Sequence, residues 1–445
     1  MSFLKFKYFL SSLIYSLLFA FVANSYMLVR RLPLSLVVLV PVFLLANLLA
    51  GAKSYSSKNI KLKVCYRGTL LLTSLFLSVI LSVGYHIIFA LVTIMDIKAT
   101  LGWSLLYCFI VHFIVFWNGI ICVYLSSTQL GIKIRVLGVV FSMVPVVNLI
   151  LLIVIIRTTA KECFFELEKE ELNEKRKAEE LCKTKYPILL VHGVFFRDSK
   201  KINYWGRIPG ELEKNGATIF YGNQSSAASV VNCGAQLKER IEEVLRETGA
   251  EKVNIIAHSK GGLDSRWALT KLGMAPYVAS LTTINTPHHG CLFADYLLNY
   301  VPKKVQDKVA GTYNLALKKI GEPNPSFFAA VNNLTDSYCK TFNKEVPDPE
   351  GVYCQSVGSV MPQSGGGQFP LNLSYMFVKM FDGYNDGLVG EPSFHWGERY
   401  MLLKPQKRRG ISHADVIDLN RQNIDGFDVR EFYVKLVRDL KERGF

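Results

Sequence analysis

Acidic residues are almost missing from the first third of this chain. Of 36 aspartates and glutamates in 445 residues, only Asp96 falls within residues 1–157, against 13 lysines and arginines there. Most of the formal net charge of +15 therefore belongs to that third. Its basic residues are spread between apolar runs instead of forming a patch. That argues against a nucleic-acid surface and for charges flanking membrane spans. The nine cysteines contain no C-x-x-C pair, which excludes the ordinary zinc cages. No internal repeat is visible. Residues 158–185 contain neither glycine nor proline, so nothing there breaks a helix.

What is present in the first third is apolar sequence. Five runs stand out, at Phe9–Val29, Leu34–Ala50, Thr69–Met95, Leu101–Ser126 and Val136–Ile156. Each approaches the roughly 20 apolar residues that a bilayer-crossing helix needs. The expectation is an all-helical transmembrane region over 1–157 with about five spans, not a cleaved signal peptide. Lys5 and Lys7, then Lys53, Lys58, Lys61, Lys63 and Arg67, then Lys133 and Arg135 would share one side. Arg30, Arg31 and Lys98, the last offset by Asp96, would share the other. Basic residues accumulate on the inner side, so the N-terminus is expected inside. Five crossings would then place the rest of the chain on the extracellular side. There Cys339 and Cys354 would be free to pair.

Residues 158–185 read as a charged helix, either a stalk or a helix packed on the domain that follows. From Tyr186 onward strands alternate with helices. Apolar strand-like runs occur at Pro187–Val191, Ala217–Tyr221, Val253–Ala257, Val278–Asn285 and Val352–Ser359. Helical stretches fall at Val230–Glu247, Leu263–Leu272 and Val429–Glu442. This alternation predicts a mostly parallel sheet covered on both faces.

Within it, "VNIIAHSKGGLDSRWAL" (Val253–Leu269) puts Ser259 between an apolar strand and a helix, with small residues around it. That is the nucleophile-elbow pattern, with Ala257 in place of its first glycine. Bulky neighbours would force strand and helix apart. A nucleophilic serine needs a base, and the base an orienting acid. In such folds the chain order is serine, acid, histidine. His192 precedes the serine, His258 adjoins it, and His288 and His289 precede any plausible acid. Asp386 in "GYNDGLVG" and His413 in "ISHADVIDL" complete the order, and His395 is read as a structural loop residue. The oxyanion requires two backbone N–H donors. Lys260 follows the nucleophile, and Val194 follows the flexible Gly193 in "VHGVFF". The Lys260 side chain is expected either as a cation at the mouth of the site or in solvent.

These segments, with "LTTINTPHHG", "FFAAVNNLT" and "FHWGERY", resemble the successive motifs of bacterial family I true lipases of the α/β-hydrolase superfamily. The resemblance covers about residues 186–445. It implies an α/β-hydrolase fold and ester hydrolysis of triacylglycerols. It also implies Ser259 as nucleophile, His413 as base, Asp386 as acid and Val194 and Lys260 as oxyanion donors. Catalysis would need no cofactor. The family commonly holds a structural calcium through an aspartate two residues after the catalytic histidine, a place taken here by Asp415. Its upstream acidic partner has no counterpart, since no aspartate or glutamate occurs from Gly351 to Phe381. Residues 292–350 are too long for a plain connection. The segment 301–320, with Val305, Val309, Ala316 and Ile320 on one face and Lys303, Lys304, Lys308, Lys318 and Lys319 around them, is expected as a lid or a fixed cap helix.

The function expected is that of a membrane-anchored serine ester hydrolase acting on acyl lipids, its partners being substrate and bilayer and not nucleic acid. The same residues would also serve an acyltransferase or a phospholipase. The alternative from another class is a non-catalytic membrane protein with a hydrolase-like binding domain.

Overall fold

The computed structural model describes residues 3–52, 57–92, 98–194, 203–319, 325–404 and 409–445. Lys53, Met95, Asp96, Phe195, Phe196 and Ile320 fall outside these ranges. The chain divides into two compact units, Met1–Glu174 and Lys175–Phe445.

The first unit is helical. Its elements are α1 (Phe3–Ala23), α2 (Tyr26–Arg31), α3 (Leu36–Leu49), α4 (Ile60–Val92), α5 (Lys98–Ser126), α6 (Ile132–Val140) and α7 (Val147–Arg176). Its outer surface is largely apolar, and small polar side chains lie between its helices. Leu44, Val83 and Phe109 face outward, while Ser12, Ser16, Ser74 and Ser78 are buried between helices. In lipid, polar groups must find partners inside the bundle.

Among the described residues three helices, not five, are long and apolar enough to cross a membrane: Phe3–Ala23, Ile60–Val92 and Ala99–Ser126. The second expected span is the shorter apolar stretch Pro33–Leu49, with Pro41 inside its helix. The fifth, Val136–Ile156, is not one helix. It breaks between α6 and α7, where Pro145 precedes Val146 at a φ of +67°. Proline disfavours helical backbone at the residue before it, and a β-branched residue at positive φ ends the helix outright. The charged segment after it continues α7 to Arg176, and its first part belongs to the core of the first unit. Cys163 and Leu167 are buried in the core of the first unit, and Phe164 packs edge-on against Tyr8 at 5.2 Å.

The second unit runs β1 (Ile188–Val191), α8 (Ile208–Lys214), β2 (Ile219–Tyr221), α9 (Val230–Thr248), β3 (Val253–His258), α10 (Lys260–Lys271) and β4 (Val278–Ile284). Four helices follow, α11 (Leu292–Tyr300), α12 (Lys303–Lys319), α13 (Phe327–Asn332) and α14 (Asp336–Glu345). The chain then closes with β5 (Tyr353–Ser359), α15 (Leu371–Asp382), β6 (Arg399–Leu403) and α16 (Val429–Glu442). The six strands form one sheet in the order β2-β1-β3-β4-β5-β6, with every pair parallel. The fold is that of an α/β-hydrolase. β6 has no counterpart among the expected strands. It is a half-buried edge strand opening on Arg399, and its pairing with β5 creates it more than its own composition does.

Side-chain alternation along the strands builds two apolar layers. Ile188, Leu190, Ile256 and Ile284 face Trp205 and the Tyr433, Val434 and Val437 stripe of α16. Leu189, Val191, Ile255 and Ala257 face Leu237, Ile241 and Val244 of α9 and Ala268 and Leu269 of α10. Both faces of the central strands are thus covered, which is why they read as unbroken apolar runs. The covering helices are capped locally. Ser229 accepts from Asn232 N–H at the start of α9, and Asp428 accepts from Arg430 and Glu431 N–H at the start of α16. The strand order reverses around β1, so the carboxyl ends of β1 and β3 open side by side. This is the place where open parallel sheets hold their sites.

Leu190 lies at the middle of this core with no exposed surface. Leu190→Ala should destabilise the second unit by about 2–5 kcal/mol, whereas Val231→Ala, on the outer face of α9, should stay within about 0.5 kcal/mol. Urea unfolding followed by tryptophan fluorescence measures both.

Candidate active site

Ser259 and Val194 follow the ends of β3 and β1, whereas Asp386 lies in the loop after α15 and His413 in the loop after β6. Ser259 follows β3 and opens α10 with φ +54° and ψ −132°, a strained conformation for a residue with a Cβ. Its N–H donates to Ile284 O at 2.9 Å, and its carbonyl accepts from Thr286 Oγ1 at 2.8 Å, so β4 clamps the turn from both sides. The neighbours must be small. A Cβ on Gly261 would stand 2.4 Å from the His192 carbonyl at the end of β1, and one on Gly193 would stand 2.7 Å from the Ser259 Cβ. Ala257 is accommodated because its methyl points into the core layer under α9 and α10.

Asp386 is fully buried and every carboxylate oxygen is engaged. Oδ1 accepts from the N–H groups of Leu388 and Val389 at 2.9 and 2.8 Å. Oδ2 accepts from Asn285 Nδ2 at 2.6 Å and lies 2.6 Å from His413 Nδ1. His413 N–H also donates to the Asp386 carbonyl at 2.9 Å, so the two loops are tied through backbone and side chain alike. His395 takes no part. Its ring packs on Tyr400, and its carbonyl lies 3.1 Å from His289 Nε2. His288 is locked between Thr283 Oγ1 and Arg266, stacked on Trp396, and burial pushes its pKa well below the ordinary value. His192 lies between the Gly193 and Gln224 carbonyls.

Two residues that sequence reasoning passed over support the site. Asn285 follows β4 at φ +46° and holds the Asp386 carboxylate. Tyr204 accepts from Gly193 N–H at 3.0 Å, and its hydroxyl lies 2.6 Å from His258 Nδ1. Burial holds His258 well below its usual pKa, and His413 nearby adds to this. Burial thus favours the neutral ring. Tyr204 thereby ties the loop after β1 to the strand carrying Ser259. The His258 ring also lies 4.5 Å, centroid to centroid, from that of His413. Asn285 was visible in "INTP", but its partner is 101 positions away.

Val194 is buried in the loop after β1. Lys260 is the first residue of α10, where helix geometry leaves N–H groups without intrahelical partners. Its side chain corrects the expectation. It reaches neither solvent nor the mouth of a site. Nζ is buried, 2.6 Å from Asp264 Oδ1 and 3.3 Å from Cys233 Sγ. Burial pushes the Asp264 carboxyl up to about 6, with Lys260 opposing that rise. Cys339 and Cys354 are both buried free thiols and do not pair.

The calcium expectation at Asp415 does not fit. Oδ1 accepts from Arg409 at 2.8 Å, and Oδ2 from Ser412 N–H and Oγ at 3.0 and 2.6 Å. A guanidinium already neutralises the carboxylate, and among the described residues no cluster of three metal-ligating side chains exists. On α12, Val305 and Val309 of the expected apolar face are exposed, while Ala310 and Leu317 are buried.

Residues 185–274 match the lipase (class 2) family. A triacylglycerol lipase of Pseudarthrobacter phenanthrenivorans is 34% identical over 177 residues, 37% of this chain and 54% of that protein. A triacylglycerol lipase of Pseudomonas fragi is 30% identical over 294 residues, 59% of this chain and 98% of that protein. The chain belongs to the lipase family. It spans about half the length of the Pseudarthrobacter relative. The crystal structure of Staphylococcus hyicus lipase superposes with a TM-score of 0.47 at 17% identity, over 59% of this chain and 97% of that one.

Two outcomes follow for this lipase-family site. Asp264→Asn should destabilise the second unit by about 3–5 kcal/mol by leaving a buried ammonium unpaired, and Lys260→Met with Asp264→Leu should recover much of it. Urea midpoints of the three proteins test this. Excess EGTA should leave the unfolding temperature unchanged, and a drop reversed by added calcium would restore the metal site.

Proposed function

We propose that the chain is a membrane-anchored serine carboxylester hydrolase that cleaves acyl lipids through Ser259, His413 and Asp386. The observation that carries this reading is the 2.6 Å contact between Asp386 Oδ2 and His413 Nδ1, made at the carboxyl edge of the sheet that presents Ser259 on its strained turn. The Asp386 contact favours a proton on Nδ1, which leaves Nε2 as the base. Ser259 Oγ attacks the ester carbonyl as His413 Nε2 takes its proton. The oxyanion that forms accepts from Val194 and Lys260 N–H. Such a donor is worth about 10²–10³ in kcat. The tetrahedral species collapses, the imidazolium gives its proton to the departing alcohol, and the acyl group remains on Ser259. Water, deprotonated by His413, then releases the fatty acid. Asp386 holds the ring and offsets its charge throughout.

Acyl glycerides are the substrate class that the names of the relatives suggest. Three apolar helices of spanning length supply the anchor. The outward Val305 and Val309, on a helix that carries Lys303, Lys304 and Lys308, suit a lid that opens against a lipid surface.

A fluorophosphonate probe applied to the full chain should label it, and Ser259→Ala should abolish the label. Asp386→Asn should lower turnover of a short-chain ester about 10⁴-fold, His413→Ala should lower it comparably, and His395→Ala should leave it unchanged. Persistent labelling of Ser259→Ala, or loss of turnover in His395→Ala with His413→Ala active, would overturn the assignment. Product analysis with an added alcohol separates hydrolysis from acyl transfer.

A further inference from the structure

The helical unit is folded so that its beginning and its end meet. Lys5 in α1 pairs with Glu168 in α7 at 3.5 Å, and the Tyr8 and Phe164 rings touch. Glu162 accepts from Ser127 Oγ and from Thr128 and Gln129 N–H, immediately past the end of α5. Hydrocarbon is about 30 Å thick. Residues in direct contact at a bundle's end therefore lie on one side of it.

The path between them agrees. Tyr8 bonds Thr73 and Asn24 bonds Ser82, so α1 and α4 run parallel and the segment joining them must return. α3 makes that return. Phe43 packs on Phe19, and Leu49 O, later in α3, accepts from Tyr15, nearer the start of α1. α4 and α5 are antiparallel, as the His86–Ser104 and Arg67–Asn118 bonds require. α6 and the first turns of α7 then leave the end of α5 and come back to it, since Glu162 bonds Ser127. Pro33–Leu49 is shorter than the three helices of spanning length but lies at the lower limit for a crossing, and with it the passages number four. From Glu168 to Lys175, where the second unit begins, the chain is helical and rises only about 10 Å, too little to cross again.

We infer that the N-terminus and the hydrolase unit lie on the same, cytoplasmic side of the membrane, so that the enzyme draws acyl esters from the cytoplasm-facing leaflet. The side follows from charge. Lys5 and Lys7 open α1, Lys58, Lys61 and Lys63 open or precede α4, and Lys133 and Arg135 open α6, all on the shared face. Arg30, which bonds Thr100, and Arg31 are on the opposite face. Basic residues mark the cytoplasmic side. Thiol chemistry agrees. Cys182, Cys291, Cys339 and Cys354 are buried and form no disulfide, as suits a reducing compartment. The extracellular placement expected from five spans fails because the fifth run turns back at Pro145.

The leaflet assignment rests on the hydrolase reading, whereas the sidedness does not. The nine native cysteines are buried, so single exposed cysteines can be added to the full chain. In intact cells an impermeant maleimide should label Arg31→Cys. It should reach Lys58→Cys and Glu213→Cys only after permeabilisation, with fluorophosphonate labelling of Ser259 retained in all three. Labelling of Glu213→Cys in intact cells, or protection of all three, would overturn the inference. A chain that gives the expected maleimide pattern but no Ser259 label would leave the sidedness standing and remove the hydrolase reading.

Discussion

The second unit depends on how closely α10 approaches the end of β1. A single methyl on Gly261 would collide with the His192 carbonyl, so helix, strand and the turn between them are held at contact distance. That contact keeps Ser259 at positive φ, and the bonds from Thr286 and to Ile284 keep it from relaxing. Local strain of about 1–3 kcal/mol persists only where surrounding structure over-determines it. Here the over-determination comes from a parallel sheet whose central strands are buried on both faces.

Around that turn, several loops are joined by short polar links instead of by apolar packing. Asn285 and the Leu388 and Val389 amides fix Asp386, Asp386 fixes His413, and Tyr204 fixes the loop carrying Gly193 to His258. Each link is buried, where a lost partner leaves an unsatisfied group. The Lys260–Asp264 pair is of the same kind. It resembles a functional charge in sequence, yet it is a buried link within α10, the helix that Ser259 opens.

The helical unit distributes its side chains the other way round. Its serines and histidines bond to one another between helices, and its aliphatic side chains face outward. Length and hydropathy located its apolar runs well, but they counted runs and not passages. "SMVPVV" held the warning, since proline after a valine ends a helix. Only the contact of Glu162 with the end of α5 shows that the chain comes back.

The sequence by itself determined the strand and helix alternation after Tyr186, the serine turn, and the chain order of Ser259, Asp386 and His413. Local spacing and small-residue requirements write those directly. It did not determine β6, which exists because β5 offers it a partner, nor the engagement of Asp415 by Arg409. It also left open the Lys260 side chain, the Asn285 and Tyr204 supports, and the direction in which the chain leaves the helical bundle. These belong to tertiary structure because each depends on which distant groups come within about 3 Å, and neither period nor composition encodes a distance between residues far apart in the chain.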